Sequence, residues 1–182
     1  MPTAANVRVG KPKSTGGVYA GALAAVAPDD AATTLDVGFA SLGYVSEEGV
    51  TQTKGIESEP MVAWGGDEVR VLKTSDSLTY SLTLIETSPA VLAEYFGADN
   101  VATAGGVTTV SVNGTELPQR SYVFELLDGD SALRVYLPVA QITNTDDISF
   151  VDGEPIGFPI TISAYPDEAG NKAYWFLEDV GA

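Results

Sequence analysis

The residue types that usually carry chemistry are thinly supplied in this chain. It holds no histidine and no cysteine. The neutral-pH proton shuttle is therefore missing, and so are thiol nucleophiles and sulfur-ligated metals. Carboxylates are plentiful, and two close sets stand out. Asp128 and Asp130 flank Gly129, and Asp146 and Asp147 follow Asn144 and Thr145. Neither set has the ligand spacing of a calcium loop, and both suit turns. Gly97, Gly105, Gly106 and Gly114 make no nucleotide fingerprint, because they lack the strand-to-helix context it needs. Trp64, beside a glycine turn, and Trp175, on the strand parity opposite Tyr174 and Phe176, are the residues able to offer a sugar platform. A turn or assembly contact accounts for Trp64 more simply, and sheet packing for Trp175. No catalytic residue, cofactor site or metal site is assigned, and no enzyme is expected.

Charge narrows the partners. The chain has 182 residues with 25 acidic and 9 basic, a formal net charge of -16. A clamp on a phosphate backbone needs a basic patch, so this balance argues against one. The three basic residues before Asp29 are Arg8, Lys11 and Lys13, and no acid precedes them. A basic tail on an acidic body can dock on its own body or on a neighbour's, or remain a solubilising tail. No apolar run approaches the length of a membrane span, and the first residues lack the apolar core of a secretion signal.

The stretch Asp67 to Gly97 organises the rest. Val69 and Val71, and further on Tyr80, Leu82 and Leu84, share strand parities, while Thr79, Ser81 and Thr83 alternate with them. This period of two predicts one buried and one wet or interfacial face. Ser88 and Pro89 read as the N-cap and first residue of a short helix that ends at Gly97, with Leu92, Tyr95 and Phe96 on one side. Before it, residues 1–28 are rich in glycine and proline and read as an arm or linker, with a short strand at Val18 to Ala20. Thr34 to Tyr44 is expected to be a strand with Leu35, Val37 and Phe39 on one face. Ser46-Glu47-Glu48-Gly49 is expected to be a turn, and Gly65-Gly66 a reversal between extended segments. Residues 49–79 hold strand formers but few large apolar side chains. Part of this region is expected to project, or to pair where both faces are wet or touch other subunits.

After the helix, Val107 to Val112 reads as a strand closed by the Asn113-Gly114 turn. Ser121 to Leu127 and Ala132 to Val139 read as a hairpin joined at Asp128 to Ser131, with Pro138 discouraging a continued ladder. Ile148 to Val151 reads as a short strand, Phe158 to Tyr165 as a strand with Ile160 and Ile162 inward, and Lys172 to Leu177 as the last one. The sum is mainly β: an antiparallel β-sandwich or flattened barrel over residues 29–182, with one short flanking helix, a projecting loop or hairpin and an extended N-terminal arm.

Several segments, in order, resemble the major tail tube proteins of long, flexible-tailed bacteriophages, particularly those infecting actinobacteria. They are Gly10-Lys11-Pro12-Lys13 with Gly16-Gly17-Val18-Tyr19, and Leu42 to Val50. Leu84-Ile85-Glu86-Thr87 leading to Tyr95-Phe96-Gly97 follows, and Pro155 to Asp167 closes the set. The resemblance implies a β-sandwich subunit that forms homo-hexameric rings, stacked into a tube within the virion tail after synthesis in the host cytoplasm. DNA passes through its lumen without specific binding. It also implies an N-terminal arm and a long hairpin within 49–79 that bridge rings, and tape measure, baseplate and tail terminator partners. On that basis Arg8, Lys11 and Lys13 are expected near a neighbouring subunit's acids, in an arm that orders on ring stacking. Glu47, Glu48, Glu57, Glu59, Asp67 and Glu68 are expected to face the lumen. Rival readings are a tail terminator, tail-completion or baseplate hub protein of the same fold, or a carbohydrate-binding sandwich on the virion surface.

Overall fold

The computed structural model describes residues 7–13 and 16–179. The first six residues of the expected arm, and 180–182 of the acidic end, lie outside the described residues. Ten strands and one α-helix follow in chain order: β1 Val18–Gly21, β2 Phe39–Ser41, β3 Val45–Val62, β4 Glu68–Leu84, α1 Pro89–Phe96, β5 Val101–Ala104, β6 Val107–Val110, β7 Arg120–Asp128, β8 Ser131–Thr145, β9 Phe158–Tyr165 and β10 Tyr174–Asp179. Eight strands form one antiparallel sheet in the order β2-β1-β7-β8-β9-β4-β3, with β10 beside β8, while β5 and β6 form a separate two-stranded ribbon.

The large sheet curls until β4 faces β7. The rings of Tyr80 and Phe124 stack across the interior with centroids 5.1 Å apart. Around them pack Val18, Leu82, Leu84, Leu137, Ile160 and Ile162. On β9 the alternation is complete: Phe158, Ile160, Ile162 and Ala164 are buried, and the residues between them are half-buried. The two outermost strands, β2 and β3, do not pair, so the curl does not close into a barrel. On the opposite face of the β1–β7–β8 end, Phe39, Val123 and Tyr136 form a second cluster, with Leu35 and Tyr174 packed against it.

Helix α1 covers the open side. Ser88 is its N-cap, with Oγ accepting from the Val91 amide at 3.4 Å, and Pro89 stands in the first turn. Gly97 ends it at φ 95° and ψ 137°, a positive φ with an extended ψ rather than a left-handed helical residue. Besides Leu92 the helix buries Val91 and Glu94, and Tyr95 packs edge-on to Phe158 at 5.6 Å. Glu94 is only 4% exposed. It is ion-paired with Arg120 and accepts a hydrogen bond from the Tyr122 hydroxyl at 3.0 Å, which ties the helix to β7.

Several sequence expectations need correction. The strand expected over Thr34 to Tyr44 shrinks to Phe39–Ser41: Asp36 forms a turn to Gly38 and leaves Val37 fully exposed. Ser46 to Gly49 is not a turn between strands but a bulge inside β3, set between the Val45↔Leu84 and Val50↔Leu82 pairs. The ribbon turns at Gly105-Gly106, whose φ values of 58° and 81° suit a two-residue hairpin loop, and not at Asn113-Gly114. Asn113 instead exchanges amide hydrogen bonds with Asn100 at 2.7 and 3.0 Å. Ile148 to Val151 is irregular. The short strand expected at Val18 to Ala20 is present as β1, and Val18 and Ala20 belong to the core. Strand β8 runs through Pro138 because its outer partner changes there: β10 flanks Ser131 to Tyr136, and β9 takes over at Val139. A missing N–H falls in the gap.

Burial pushes the Tyr122 hydroxyl up to about 12, against a smaller opposing pull from Arg120. The unfolded chain releases that proton near pH 10, so the folded state holds it longer. The stability this contributes is complete below pH 10 and is lost as pH rises from 10 to 12. Urea unfolding across that range should therefore show a decline that is shallower in Tyr122→Phe.

Candidate assembly interface

Strands β3 and β4 make one long hairpin, and its two halves differ in kind. Near the root, Leu78, Tyr80, Leu82 and Leu84 of β4 point toward the core, and β9 pairs with Thr79 to Leu84. Beyond Leu78 only β3 accompanies β4. Asp76 marks the boundary. Lys73 forms an ion pair with it and holds its carboxyl below the usual range. Lys172, in the turn before β10, approaches the same carboxylate at 3.6 Å. Past this brace the chain stands free: Met61, Val62, Val69 and Val71 are all exposed, and Trp64, in the Gly65-Gly66 turn, is fully exposed. Register shifts at Glu57/Ser58 and Met61/Val62 twist the ribbon. Strand β3 ends the sheet, and no strand among the described residues pairs along its outer side.

The two faces of this sheet are chemically distinct. Cross-strand partners share a face. One face carries Val50, Gln52 and Lys54 opposite Leu82, Tyr80 and Leu78, and the Tyr80 hydroxyl donates to Gln52 Oε1 at 2.8 Å. The other carries rows of uncharged polar residues. Thr51, Ser81, Thr161 and Asn144 align across four strands, as do Thr53, Thr79, Ser163 and Gln141. Ser81 and Thr161 hydroxyls lie 3.1 Å apart, and those of Thr143 and Ser163 lie 2.7 Å apart. Along β3 the same face continues into Glu57, which accepts from Ser75 at 3.0 Å, and Glu59.

The six candidate lumen acids are all exposed, but the structure does not gather them. Glu57 and Glu59 share the hydroxyl-bearing face. Glu47 and Glu48 sit in the β3 bulge at the root, Glu68 pairs with Val62, and Asp67 accepts the Ala63 amide at 2.8 Å through its carbonyl. Nor do the other acidic pairs collect into a metal site. Asp128 accepts the Val9 amide at 2.8 Å, and Asp146 accepts from the Asn144 side chain at 2.9 Å. Trp64 and Trp175 form no common platform: one occupies the hairpin tip, the other lines a groove at the root.

Residues 7–13 lie along β7 of their own chain. Leu127 donates to the Lys11 carbonyl at 2.8 Å, Lys13 donates to the Glu125 carbonyl at 3.1 Å, and Pro12 bridges to Leu126. Arg8 pairs with Asp179 at 2.9 Å and Lys13 with Glu125 at 3.6 Å. Both partners belong to the same chain, so this part of the arm is laid down without a neighbour; Lys11 has no ion pair among the described residues. The arm then turns at Gly16, whose φ is 86°. A Cβ there would lie 1.9 Å from the Gly43 carbonyl oxygen, so only glycine permits the approach.

Beneath the arm is a feature missed by sequence reasoning. Arg134 is 1% exposed. Its guanidinium is ion-paired with Glu125 and donates to the carbonyls of Asp30 at 2.8 Å and Thr33 at 2.6 Å. It thereby fixes the loop before β2 to the β7–β8 hairpin. The signal was present: Glu125 and Arg134 face each other directly in the hairpin register. The hydroxyl rows were also legible only in part, through Thr79, Ser81 and Thr83.

Between the arm, the β3 bulge and the β7–β8–β10 surface runs an apolar groove of about 500 Å³. It is lined by Pro12, Val50, Tyr80, Leu126, Val135 and Trp175 among others, with Glu47 and Glu48 on its margin.

An open curled sheet, a free edge strand and a hairpin without an apolar partner among the described residues leave surfaces suited to contact with other chains. Comparison with known proteins gives the family. A family model described as phage tail tube protein matches residues 4–182, and the chain belongs to that family. No curated protein sequence matches it. Among solved structures it is similar to the tube-terminating cap of the anti-feeding prophage, seen by cryo-electron microscopy. The two share 13% identity at a TM-score of 0.46, covering 98% of this chain and 100% of that one. The protein is thus a structural component of a phage tail. Among the described residues no helix is long and apolar enough to cross a membrane.

Two outcomes follow. Arg134→Ala leaves buried Glu125 with only its 3.6 Å pair to half-exposed Lys13 and should cost about 3–5 kcal/mol in urea unfolding, whereas Lys13→Ala should cost less than about 1 kcal/mol. In the free subunit, amides of Ser58 to Leu72 should exchange within the earliest time points while those of β9 stay protected, because an isolated two-stranded ribbon is marginal in water.

Proposed function

We propose that the chain polymerises as stacked hexameric rings into the tail tube of a long, flexible-tailed phage with an actinobacterial host, and that the tube conducts DNA during ejection. The observation that carries this reading is the 18-residue strand β3, which ends the sheet with its outer side unpaired. An edge that long invites pairing with another chain, and a ring of subunits removes it. In this reading β3 and β2 of adjacent copies continue the sheet around the bore, and the distal hairpin reaches the next ring together with the N-terminal arm. On stacking, Arg8 and Lys13 exchange or supplement their own-chain partners, Asp179 and Glu125, with a neighbour's acids, and Lys11 meets a neighbour's acid as well. The family's tape measure, baseplate and terminator proteins complete the tail.

The face carrying the two hydroxyl rows lines the bore, with Glu57 and Glu59 at its margin. Hydroxyls without cations give phosphates no counter-charge to hold, and the net charge of -16 repels the DNA backbone over a distance of about 10 Å at 0.1 M salt. The acids Glu47, Glu48, Asp67 and Glu68 lie on other surfaces and serve contacts between subunits.

Negative-stain imaging of the concentrated protein should show tubes of uniform width. Isolated rings that never extend would instead favour a terminator, completion or hub role. Removal of residues 1–11 should leave the unfolding midpoint within a few degrees of the full chain yet prevent tube growth. Normal tubes from the shortened chain would remove the arm from the stacking contact.

A further inference from the structure

The loop after the β5–β6 ribbon carries Asn113-Gly114, an amide side chain next to a backbone nitrogen whose own residue has no Cβ. Both residues are exposed. Nothing lies within 4 Å of where a Cβ on Gly114 would stand. Among the described residues the Gly114 amide donates no hydrogen bond, so no acceptor there holds its proton. The Asn113 carbonyl is in the opposite condition. Its Oδ1 accepts from the Thr115 amide at 3.0 Å and from Asn100 Nδ2 at 3.0 Å. Two donors on one carbonyl oxygen draw electron density from Cγ and stabilise the oxyanion that forms when a nucleophile adds there. The Gly114 nitrogen follows next in the chain, and closure through it gives a cyclic imide.

We propose that Asn113 is a site of spontaneous deamidation in the folded chain, and that the reaction severs its amide pair with Asn100. The Gly114 nitrogen loses its proton to water and attacks Cγ, forming the N–Cγ bond. The Cγ–Nδ2 bond breaks, and Nδ2 takes up a proton and leaves as ammonia. Water then opens the imide at either carbonyl, which leaves aspartate or isoaspartate at 113. Solvent water is the only co-reactant.

The amide that reacts is also a structural joint. Asn113 Nδ2 donates to Asn100 Oδ1 at 2.7 Å, and Asn100 is buried. Asn100 uses its own Nδ2 on Asn113 and on the Phe96 carbonyl, 2.6 Å away at the end of α1. A carboxylate at 113 has no proton to give. Asn100 Oδ1 then loses its donor among the described residues and faces a negative oxygen. Asp146 and Asp147 line the same cleft as Asn113, so the new charge also arrives beside two acids. The end of α1 loosens together with the loop that leads to β7.

The reaction needs no partner, so its test is independent of tube formation. The purified full chain, held at neutral pH and body temperature, should accumulate a peptide in which the Asn113 amide has become an acid, part of it isoaspartyl, as read by peptide mass mapping. The rate in the folded chain should equal or exceed that of the same chain unfolded in urea, where Asn113 lacks both donors. A folded rate several-fold lower would show that the pair guards the amide instead, and would overturn the proposal. Gly114→Ala places its Cβ in open space at a φ outside the left-handed region. It should keep the unfolding midpoint and suppress the reaction in both states; an undiminished rate would rule out attack by this nitrogen. Asn113→Asp, which installs one product directly, should lower the urea midpoint. An unchanged midpoint would overturn the loosening of the pair.

Discussion

Strand β4 is a single extended element held at one end only. Leu84, Leu82 and Tyr80 are locked into the core, and β9 supplies a ladder as far as Thr79. Beyond Asp76 the strand keeps its hydrogen bonds to β3 but has no residue in the buried core. Most architecture here follows from that asymmetry. The core must hold the root rigidly, which it does through the curl of the sheet and the helix seated over Phe158. The brace at Asp76 stops fraying from the free end from travelling into the core. The free end, in turn, leaves valines, a methionine and a tryptophan exposed.

Much of this was legible in the chain, because alternation is a local property. The inward parity of Tyr80, Leu82 and Leu84, the pattern of β9, the β7–β8 hairpin and the cap at Ser88 all follow from neighbouring residue types. The projecting region was also recognisable, since 49–79 has strand formers without the apolar side chains a core strand needs. Other features depend on partners distant in sequence. Ser46 to Gly49 has turn composition, yet the strand continues through it because Val45 and Val50 both find places opposite β4. Asn113-Gly114 has a hairpin signature, yet Gly105-Gly106 wins because Val101 to Ala104 and Val107 to Val110 are the matching strands. Asn113 then serves Asn100 instead. Val37 keeps the correct parity for a strand that is never formed, because Asp36 offers its backbone a turn.

The candidate site was legible in outline and not in membership. An excess of acids says that DNA is not clamped; it does not say which surface any acid occupies. Register decides that: it brings Glu57 and Glu59 onto the hydroxyl-bearing face and pairs Glu68 with Val62, while Glu47 and Glu48 fall in the bulge between the Val45 and Val50 pairs. The basic residues of the arm were likewise visible as a group, but their partners were not. Asp179 and Glu125 lie far along the chain from Arg8 and Lys13, and only the folded sheet makes them neighbours.

A neutral wall and an acidic subunit are compatible once the two are assigned to different scales. In the proposed tube, a phosphate at contact distance meets whatever the sheet face presents, and hydroxyls give up their water bonds and regain them at small net cost. A cation there would hold the strand; a dense row of carboxylates would force the subunits apart across the ring. In the same reading, acids placed off the hydroxyl-bearing face keep a repulsive field on the nucleic acid while relieving the proposed ring of crowded like charges. The same placement limits premature association, since free subunits of charge -16 repel one another until enough apolar contact forms at once to outweigh it. If the chain builds the proposed tube, this repulsion makes its assembly slow to nucleate and faster to extend, the kinetic form a tube needs when another protein sets its starting point.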